Sequence, residues 1–154
     1  MIIIKKSKNA DTRTCDWSKV SEEELLGNSL QHINDVKEGM VFFANKCLIA
    51  GLSHDITKIS HIKEFHEDFK HGFKEGHQSW WDRHQRVERH HLKNAEYVQD
   101  DVNLIDILEM ITDGVMAGLA RSGEYRQEEI PDKLLRKAFD NTIKLLLKNV
   151  KVKE

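Results

Sequence analysis

The segment Ser21–Cys47, SEEELLGNSLQHINDVKEGMVFFANKC, decides the fold class. It opens with Ser21 three residues before Glu24, the capping-box pattern that starts a helix. We therefore expect a long amphipathic helix, in which Gly27 and Gly39 are candidate bends. Its apolar residues recur at mostly three- and four-residue steps, at Leu25, Leu26, Leu30, Ile33, Val36, Met40, Phe43, Ala44 and Cys47.

Helical periodicity continues along most of the remaining chain. Gly51 is expected to end the first helix, and Ser53 to cap a new helix that begins at His54. Weaker helical patterns cover Ile62 to about Phe73 and Trp80 to Tyr97. The last two helices are predicted after a cap at Asp101 and after Pro131, with apolar stripes at Leu104, Leu108, Ile111, Val115 and Leu119 and at Ile130, Leu134, Leu135, Ala138, Ile143 and Leu146.

Together, these helical patterns predict an all-α protein, a compact helical bundle with short connections. Residues 1–17 are interpreted as a short strand or extended arm followed by polar coil. With 154 residues, a single proline and scattered glycines, the rest of the chain offers no linker, so residues 18–154 are predicted to form one domain. The basic tail Lys144–Lys153 is interpreted as a solvated helix end.

Composition excludes several classes of protein. Hydrophobic residues make up 39% of the chain and charged residues 32%, as in soluble globular proteins. A net charge of −2 gives no basic field for nucleic acid, and no apolar run approaches the length of a membrane span. The apolar segment at the N-terminus is too short for a signal peptide, so a cytoplasmic protein is expected. Cys15 and Cys47 are isolated from each other in the sequence, so no disulfide framework is expected.

The candidate chemistry lies around the string His54-Asp-Ile-Thr-Lys58. An imidazole and a carboxylate side by side at a helix start can both reach one cation, although such a dipeptide alone is common. His32 lies in a stretch expected to face the core. Asp113 stands between Ile111 and Val115, where a carboxylate is costly to bury unless it is paired or bound to a cation. The alternative for Asp113 is a solvent-facing position on an amphipathic helix.

The order of these residues resembles the H…HD…D pattern of the HD superfamily of metal-dependent phosphohydrolases. Lys58 matches the basic residue that often follows the HD pair in that superfamily. The resemblance covers roughly residues 29–125 and is most specific for small, poorly characterised HD-like proteins of phages and bacteria. Its three stretches are His32–Lys58, Trp80–His91 and Glu109–Asp113.

This resemblance implies an HD-type bundle in which His32, His54, Asp55 and Asp113 bind a divalent transition metal, with iron, manganese, nickel, cobalt and zinc all open. Members with two metals add histidines in the interval that here contains His84, His90 and His91. Asp55 would then bridge two ions. Unbroken helix would separate His84 from His91 by roughly 10.5 Å. The three histidines therefore meet only if the helix breaks at Arg86–Arg89, with His90 and His91 opening the next helix. The alternative is a solvated helix face.

The activity implied is hydrolysis of a small-molecule phosphate ester, a nucleotide or a related compound, by a metal-activated water. Asp55 and Lys58 are the expected catalytic residues. Glu109, one turn before Asp113, either orients a ligand or water or is an ordinary surface residue. The same ligands also suit a di-iron oxygenase, and a third reading is a non-catalytic metal- or nucleotide-binding module. The cations expected to hold phosphate are Lys58, Arg83, Arg86 and Arg121.

Overall fold

The computed structural model describes residues 1–7, 9, 13, 15–125, 127 and 129–153. These residues are 64% helical and 5% strand, which confirms the all-α class. Within the described ranges no helix is long and apolar enough to cross a bilayer. The helices are α1 (Glu22–Ser53), α2 (Ile56–Ser60), α3 (Ile62–Lys70), α4 (Ser79–Val87), α5 (Leu104–Ser122) and α6 (Asp132–Leu147), and the strands are β1 (Ile2–Lys5) and β2 (Val150–Lys153).

The chain divides into two units, residues 1–45 with 143–154 and residues 46–142. In the first unit β1 pairs in parallel with β2, with Ile2 opposite Val150. Residues 2–5 thus form a strand, one of the two interpretations of residues 1–17, and residues 8, 10–12 and 14 of that segment lie outside the described residues. The basic tail is a helix end only as far as Leu147, the last residue of α6. Val150–Lys153 form β2 instead, because alternating Val and Lys have the two-residue period of a strand.

The first helix is longer than the sequence indicated. α1 runs without interruption through Gly27, Gly39 and Gly51 to Ser53. None of these three glycines adopts the left-handed conformation that ends a helix. That conformation falls on Asp55 instead, with φ 55°, so His54 and Asp55 form the turn between α1 and α2 and do not open a helix.

The second unit has its core around the start of α5 and the middle of α6. Asn103 caps α5 through a reciprocal capping box with Asp106, so the cap predicted at Asp101 is wrong by two residues. The predicted stripe is also wrong: Leu108, Ile111 and Leu119 are exposed. The buried residues of α5 are Ile105, Asp106, Ile107, Met110, Gly114 and Gly118. The buried core consists of Leu92, Val102, Ile107, Met110 and Ala138.

The break predicted at Arg86–Arg89 is confirmed, because α4 ends at Val87 and Glu88 is extended. His90 and His91 do not open the next helix; they lie in the irregular segment before α5. Arg89 anchors that segment: its Nε lies 2.7 Å from Asp106 Oδ1 and its Nη2 lies 2.9 Å from Asp106 Oδ2. Asp106 also accepts a hydrogen bond from the Asn103 backbone N–H at 2.8 Å. The first turn of α5 therefore fixes the residues next to His90.

Candidate metal centre

The centre, which belongs entirely to the second unit, is built on the turn between α1 and α2. Aspartate tolerates the left-handed conformation better than most residues, so Asp55 suits the turn as well as the chemistry. The His54 Nδ1 atom lies 2.9 Å from Glu109 Oε1 on α5, and Asp55 Oδ1 lies 3.3 Å from His84 Nε2 on α4. The turn thus brings two adjacent side chains to two different helices.

One group of candidate metal ligands is His54, Asp55 and His90, whose ligand atoms all lie within 4.8 Å of one another. The His54 Nε2 atom is 3.4 Å from Asp55 Oδ2, and the His90 Nε2 atom is 3.7 Å from Asp55 Oδ1. Glu109 Oε1 lies 2.9 Å from His54 Nδ1 and 3.2 Å from His90 Nδ1, on the far side of both rings. A carboxylate behind ligating imidazoles is the arrangement that orients histidines on metals.

A second group consists of Asp55, His84 and His91, again with ligand atoms within 4.8 Å of one another. The His84 Nε2 atom lies 2.8 Å from His91 Nε2. The His84 ring stacks on the buried Trp80 ring at a centroid distance of 4.7 Å. Asp68 on α3 accepts the backbone N–H of Trp80 at 2.9 Å, which fixes the start of α4. Asp55 therefore belongs to both groups.

Thr57 and Glu88 determine the tautomer of His84. The Thr57 hydroxyl donates to Glu88 Oε1 at 2.6 Å, and its oxygen lies 2.6 Å from His84 Nδ1. Because the hydroxyl proton is already used, His84 Nδ1 must carry the hydrogen and donate it to Thr57. The Nε2 atom of His84 is left with a lone pair, which points toward Asp55 and His91. This is the form in which imidazole binds a metal.

We expect Thr57→Val to weaken metal binding by about 10- to 100-fold, because the His84 tautomer is no longer fixed. Thr57→Ser keeps the hydroxyl and is the matched control, with affinity close to the wild type. Competition against a chromophoric chelator measures the metal affinity of both variants. Thermal unfolding of the metal-free proteins separates a loss of affinity from a loss of fold. Equal affinities for the Val and Ser variants would contradict the tautomer assignment.

The charges of the centre follow from burial and from Lys58. Burial alone would raise the pKa of Asp55, but the hydrogen bond and charge of Lys58, together with the charges of His54 and His90, outweigh burial and hold that pKa below its usual value. Burial lowers the pKa of His84 to about 4. Burial, helped by the neighbouring His90 and His84, lowers the pKa of His91 to about 3. Asp55 is therefore ionised and His84 and His91 are neutral near pH 7, as ligands must be.

Buried polar atoms without partners provide the test of whether a metal fits. Among the described residues, Asp55 Oδ1 and both ring nitrogens of His90 are buried without a hydrogen bond of acceptable geometry. Such atoms are costly unless something satisfies them. Imidazole nitrogen and carboxylate oxygen together suit a divalent transition ion. The His/Asp cluster can therefore hold a metal, and the two groups that share Asp55 offer two positions.

The structure brings five of the seven predicted ligands into these groups. The ligands are distributed between the two groups differently from the prediction. His90 belongs with His54, while His84 and His91 form the other side. Asp113 lies on the same side of α5 as the centre, with its Oδ1 3.7 Å from His54 Nε2, but it belongs to neither group. Asp113 is a residue of the rim.

His32 belongs to neither ligand group. It lies in the first unit, in the N-terminal half of α1, and is exposed to solvent. The prediction placed His32 on a helix separate from the HD pair, which requires the chain to fold back between them. α1 continues unbroken past His32 to Ser53, so there is no such fold.

Two cavities adjoin the centre. The first, which we call the polar cavity, has a volume of about 320 Å³ and is lined by His90, His91 and Asp113 together with Lys58, Lys93 and Arg121. Of the four cations predicted to hold phosphate, Lys58 and Arg121 line it. The other two pair elsewhere: Arg83 Nη2 lies 2.5 Å from Glu64 Oε2, and the Arg86 guanidinium lies 4.3 Å from the Tyr97 ring centroid.

The second, the apolar cavity, has a volume of about 290 Å³ and reaches His54, Glu109 and Asp113 from the other side. Apolar or small residues of α1 and α5 form the rest of its wall, including Cys47, Ala50, Gly51, Leu108 and Met116. Asp113 lines both cavities, so the centre is open on two sides of this residue.

Sequence reasoning missed the residues behind the ligands. Glu109 was interpreted in two ways, and the structure supports the orienting role for His54, since Glu109 Oε1 is within hydrogen-bond distance of His54 Nδ1 at 2.9 Å. The 3.2 Å contact of the same oxygen with His90 Nδ1 lacks hydrogen-bond geometry. No sequence pattern identified Thr57 or Glu88 as part of the site. The only indication was position: Thr57 lies between Asp55 and Lys58, and Glu88 lies at the helix break. Lys93 was missed because nothing in its sequence neighbourhood distinguishes it from other surface lysines.

Comparison with protein-family models, with curated proteins and with solved structures gave no match.

Proposed function

We propose that this protein is a metal-dependent phosphohydrolase that acts on a nucleotide or a related phosphate ester. The observation that carries the proposal is the sharing of Asp55 between two ligand groups, His54 with His90 and His84 with His91. A carboxylate that joins two His-rich groups is typical of centres in which two ions lie on the order of 3.5–4 Å apart and act on phosphate esters.

The cations next to the centre support phosphate as the reacting group. Lys58, Lys93 and Arg121 line the polar cavity, whose wall also includes His90 and His91. A guanidinium fork and two ammonium groups can neutralise the oxygens of a phosphate. Bound metal ions would add Lewis acidity and a water of lowered pKa.

Two further residues have roles in this proposal. Asp113, with its Oδ1 3.7 Å from His54 Nε2, is the carboxylate positioned at the cavity wall to accept a proton from the attacking water. Trp81 lines the same cavity, where its ring packs against His84 and His91 at centroid distances of 5.4 and 5.6 Å and adds an aromatic part to the wall. We propose a nucleotide as the substrate because an aromatic group beside three cations suits a base joined to a phosphate.

Turnover by reconstituted protein tests the proposal. Metal-free protein is loaded in turn with manganese, iron, cobalt, nickel and zinc, and phosphate release is followed for nucleoside mono-, di- and triphosphates and cyclic nucleotides. We expect release that depends on the metal, and a rise in KM of roughly 10-fold or more for Arg121→Ala, since a charged hydrogen bond contributes about 1.5–3 kcal/mol. Arg83→Ala, at a cation paired with Glu64, is the matched control and should leave KM unchanged.

The alternatives give different results in the same experiment. Oxygen consumption by the iron-loaded protein without phosphate release would favour the oxygenase. Tight nucleotide binding without turnover in every metal would favour a binding module. Either result would overturn the proposal that this protein is a phosphohydrolase.

A further inference from the structure

An exposed apolar stripe runs along α1 in a strict alternation of four- and three-residue steps. Its eight positions are Leu26, Leu30, Ile33, Lys37, Met40, Ala44, Cys47 and Gly51, and all of them are exposed. The four large apolar ones, Leu26, Leu30, Ile33 and Met40, are each 57–63% exposed. α1 as a whole has no buried residue. A stripe that has the spacing of a coiled-coil seam and is exposed at every position indicates an intermolecular helix contact.

We propose that α1 pairs in antiparallel orientation with α1 of a second copy of this chain. The spacing of the stripe is symmetric about its middle, so a two-fold axis between residues 38 and 39 brings every stripe position opposite another one. Leu26 then faces Gly51 of the second copy, Leu30 faces Cys47, Ile33 faces Ala44, and Lys37 faces Met40. Each large side chain meets a small one or the flexible Met40, so the layers have similar thickness along the pair.

The parallel alternative is much poorer. It stacks Leu26 on Leu26 at one end and Gly51 on Gly51 at the other, and it places the two Lys37 ammonium groups directly opposite each other. In the antiparallel pair the stem of Lys37 covers Met40 while its ammonium group reaches water. The two helix dipoles also oppose each other, which is favourable.

Gly51 is compatible with this register. A Cβ atom added at Gly51 would meet nothing within 4 Å, as at the other two glycines of α1, so the space that Leu26 of the second copy would occupy is open. The stripe is about 38 Å long, enough for an interface on the order of the 800 Å² per partner found in stable complexes.

The pairing also reaches the apolar cavity. Cys47 and Gly51 line that cavity, and they are the residues that Leu30 and Leu26 of the second copy face. The second copy would therefore cover the cavity with apolar side chains and exclude water from the His54 side of the centre, leaving the polar cavity open for substrate.

Sedimentation velocity with stripe variants tests the interface. We expect the wild type to be a dimer, and Ile33→Glu to raise the dimer dissociation constant by about 100-fold or more, because two buried isoleucines are lost per dimer. Asn34→Glu, one residue away and off the stripe, is the matched control and should remain dimeric. A monomeric wild type, or equal dissociation constants for the two variants, would overturn the proposal. Circular dichroism shows whether Ile33→Glu retains its helices, as expected for an exposed position.

Disulfide formation tests the register without relying on a disruptive variant. In a Cys15→Ser background, oxidised glutathione should join Leu30→Cys covalently into dimers through Cys47 of the second copy. The same background alone should not cross-link, because the two Cys47 residues would lie roughly 25 Å apart along the pair, and neither should Asn34→Cys. Cross-linking through Cys47 alone would show a parallel pair and overturn the antiparallel register.

Discussion

Asp55→Asn is expected to abolish binding at both metal positions and to lower kcat on the order of 1,000-fold. Asp55 is the one described residue common to the two ligand groups, and its Oδ1 atom lies 3.3 Å from His84 Nε2 and 3.7 Å from His90 Nε2. An amide is a poor ligand for a transition metal and cannot bridge two ions. The loss of several kcal/mol of charge stabilisation corresponds to a rate change of this size.

Asparagine is the right replacement because of the backbone at this position. Asp55 has φ 55°, in the left-handed region that Asn tolerates and Ala does not. Asp55→Ala would therefore add backbone strain to the loss of the carboxylate. The metal content of dialysed protein, measured by mass spectrometry beside phosphate release, gives the result. Asp140→Asn, at an exposed pair with Arg136, is the control and should retain its metal. Two ions per chain in Asp55→Asn would rule out the bridging role.

Arg89→Met is expected to lower the free energy of unfolding by about 3 kcal/mol. The side chain of Asp106 is 5% exposed and accepts two hydrogen bonds from Arg89, so removing the guanidinium leaves a buried carboxylate with the Asn103 backbone N–H as its remaining donor among the described residues. Urea unfolding in the presence of a chelator measures the loss without any contribution from bound metal.

The control for this variant is Arg136→Met. Arg136 also pairs with an aspartate, Asp140, but its side chain is 73% exposed, so the expected loss is about 0.5 kcal/mol or less. Equal losses in the two variants would mean that Arg89 is an ordinary surface residue. A loss confined to Arg89→Met would explain how the irregular segment before α5 keeps His90 in place without a helix of its own.

Apolar periodicity predicted the all-α class and most of the helices, because one buried face leaves a regular trace in the sequence. The helix break near Arg86–Arg89 was also predictable, since the period fails there and the histidines on either side cannot meet along a straight helix. The predicted grouping of ligands was less accurate. Which histidine joins which side of Asp55 depends on how α4, the segment after it and α5 pack, and spacing along the chain carries no such information.

The errors have common physical causes. Glycine inside a helix weakens it by only about 1 kcal/mol, so Gly27, Gly39 and Gly51 did not stop α1. The turn was instead made by Asp55, a residue interpreted for its chemistry alone. The buried side of α5 was misassigned because its apolar residues nearly surround the helix, and an exposed stripe is then as regular as a buried one. The prediction of His32 as a metal ligand depended on the same underestimate of the length of α1.

The pairing of β1 with β2 has a consequence for how the chain assembles during synthesis. Ile2 is synthesised before the second unit, and its partner Val150 is synthesised after it. The second unit, residues 46–142, is continuous in sequence, so all of it is available to fold before the partner strand of β1 has been synthesised. Closing such a long loop is slow compared with forming local helices. The His/Asp cluster can thus be complete before β1 has paired with β2.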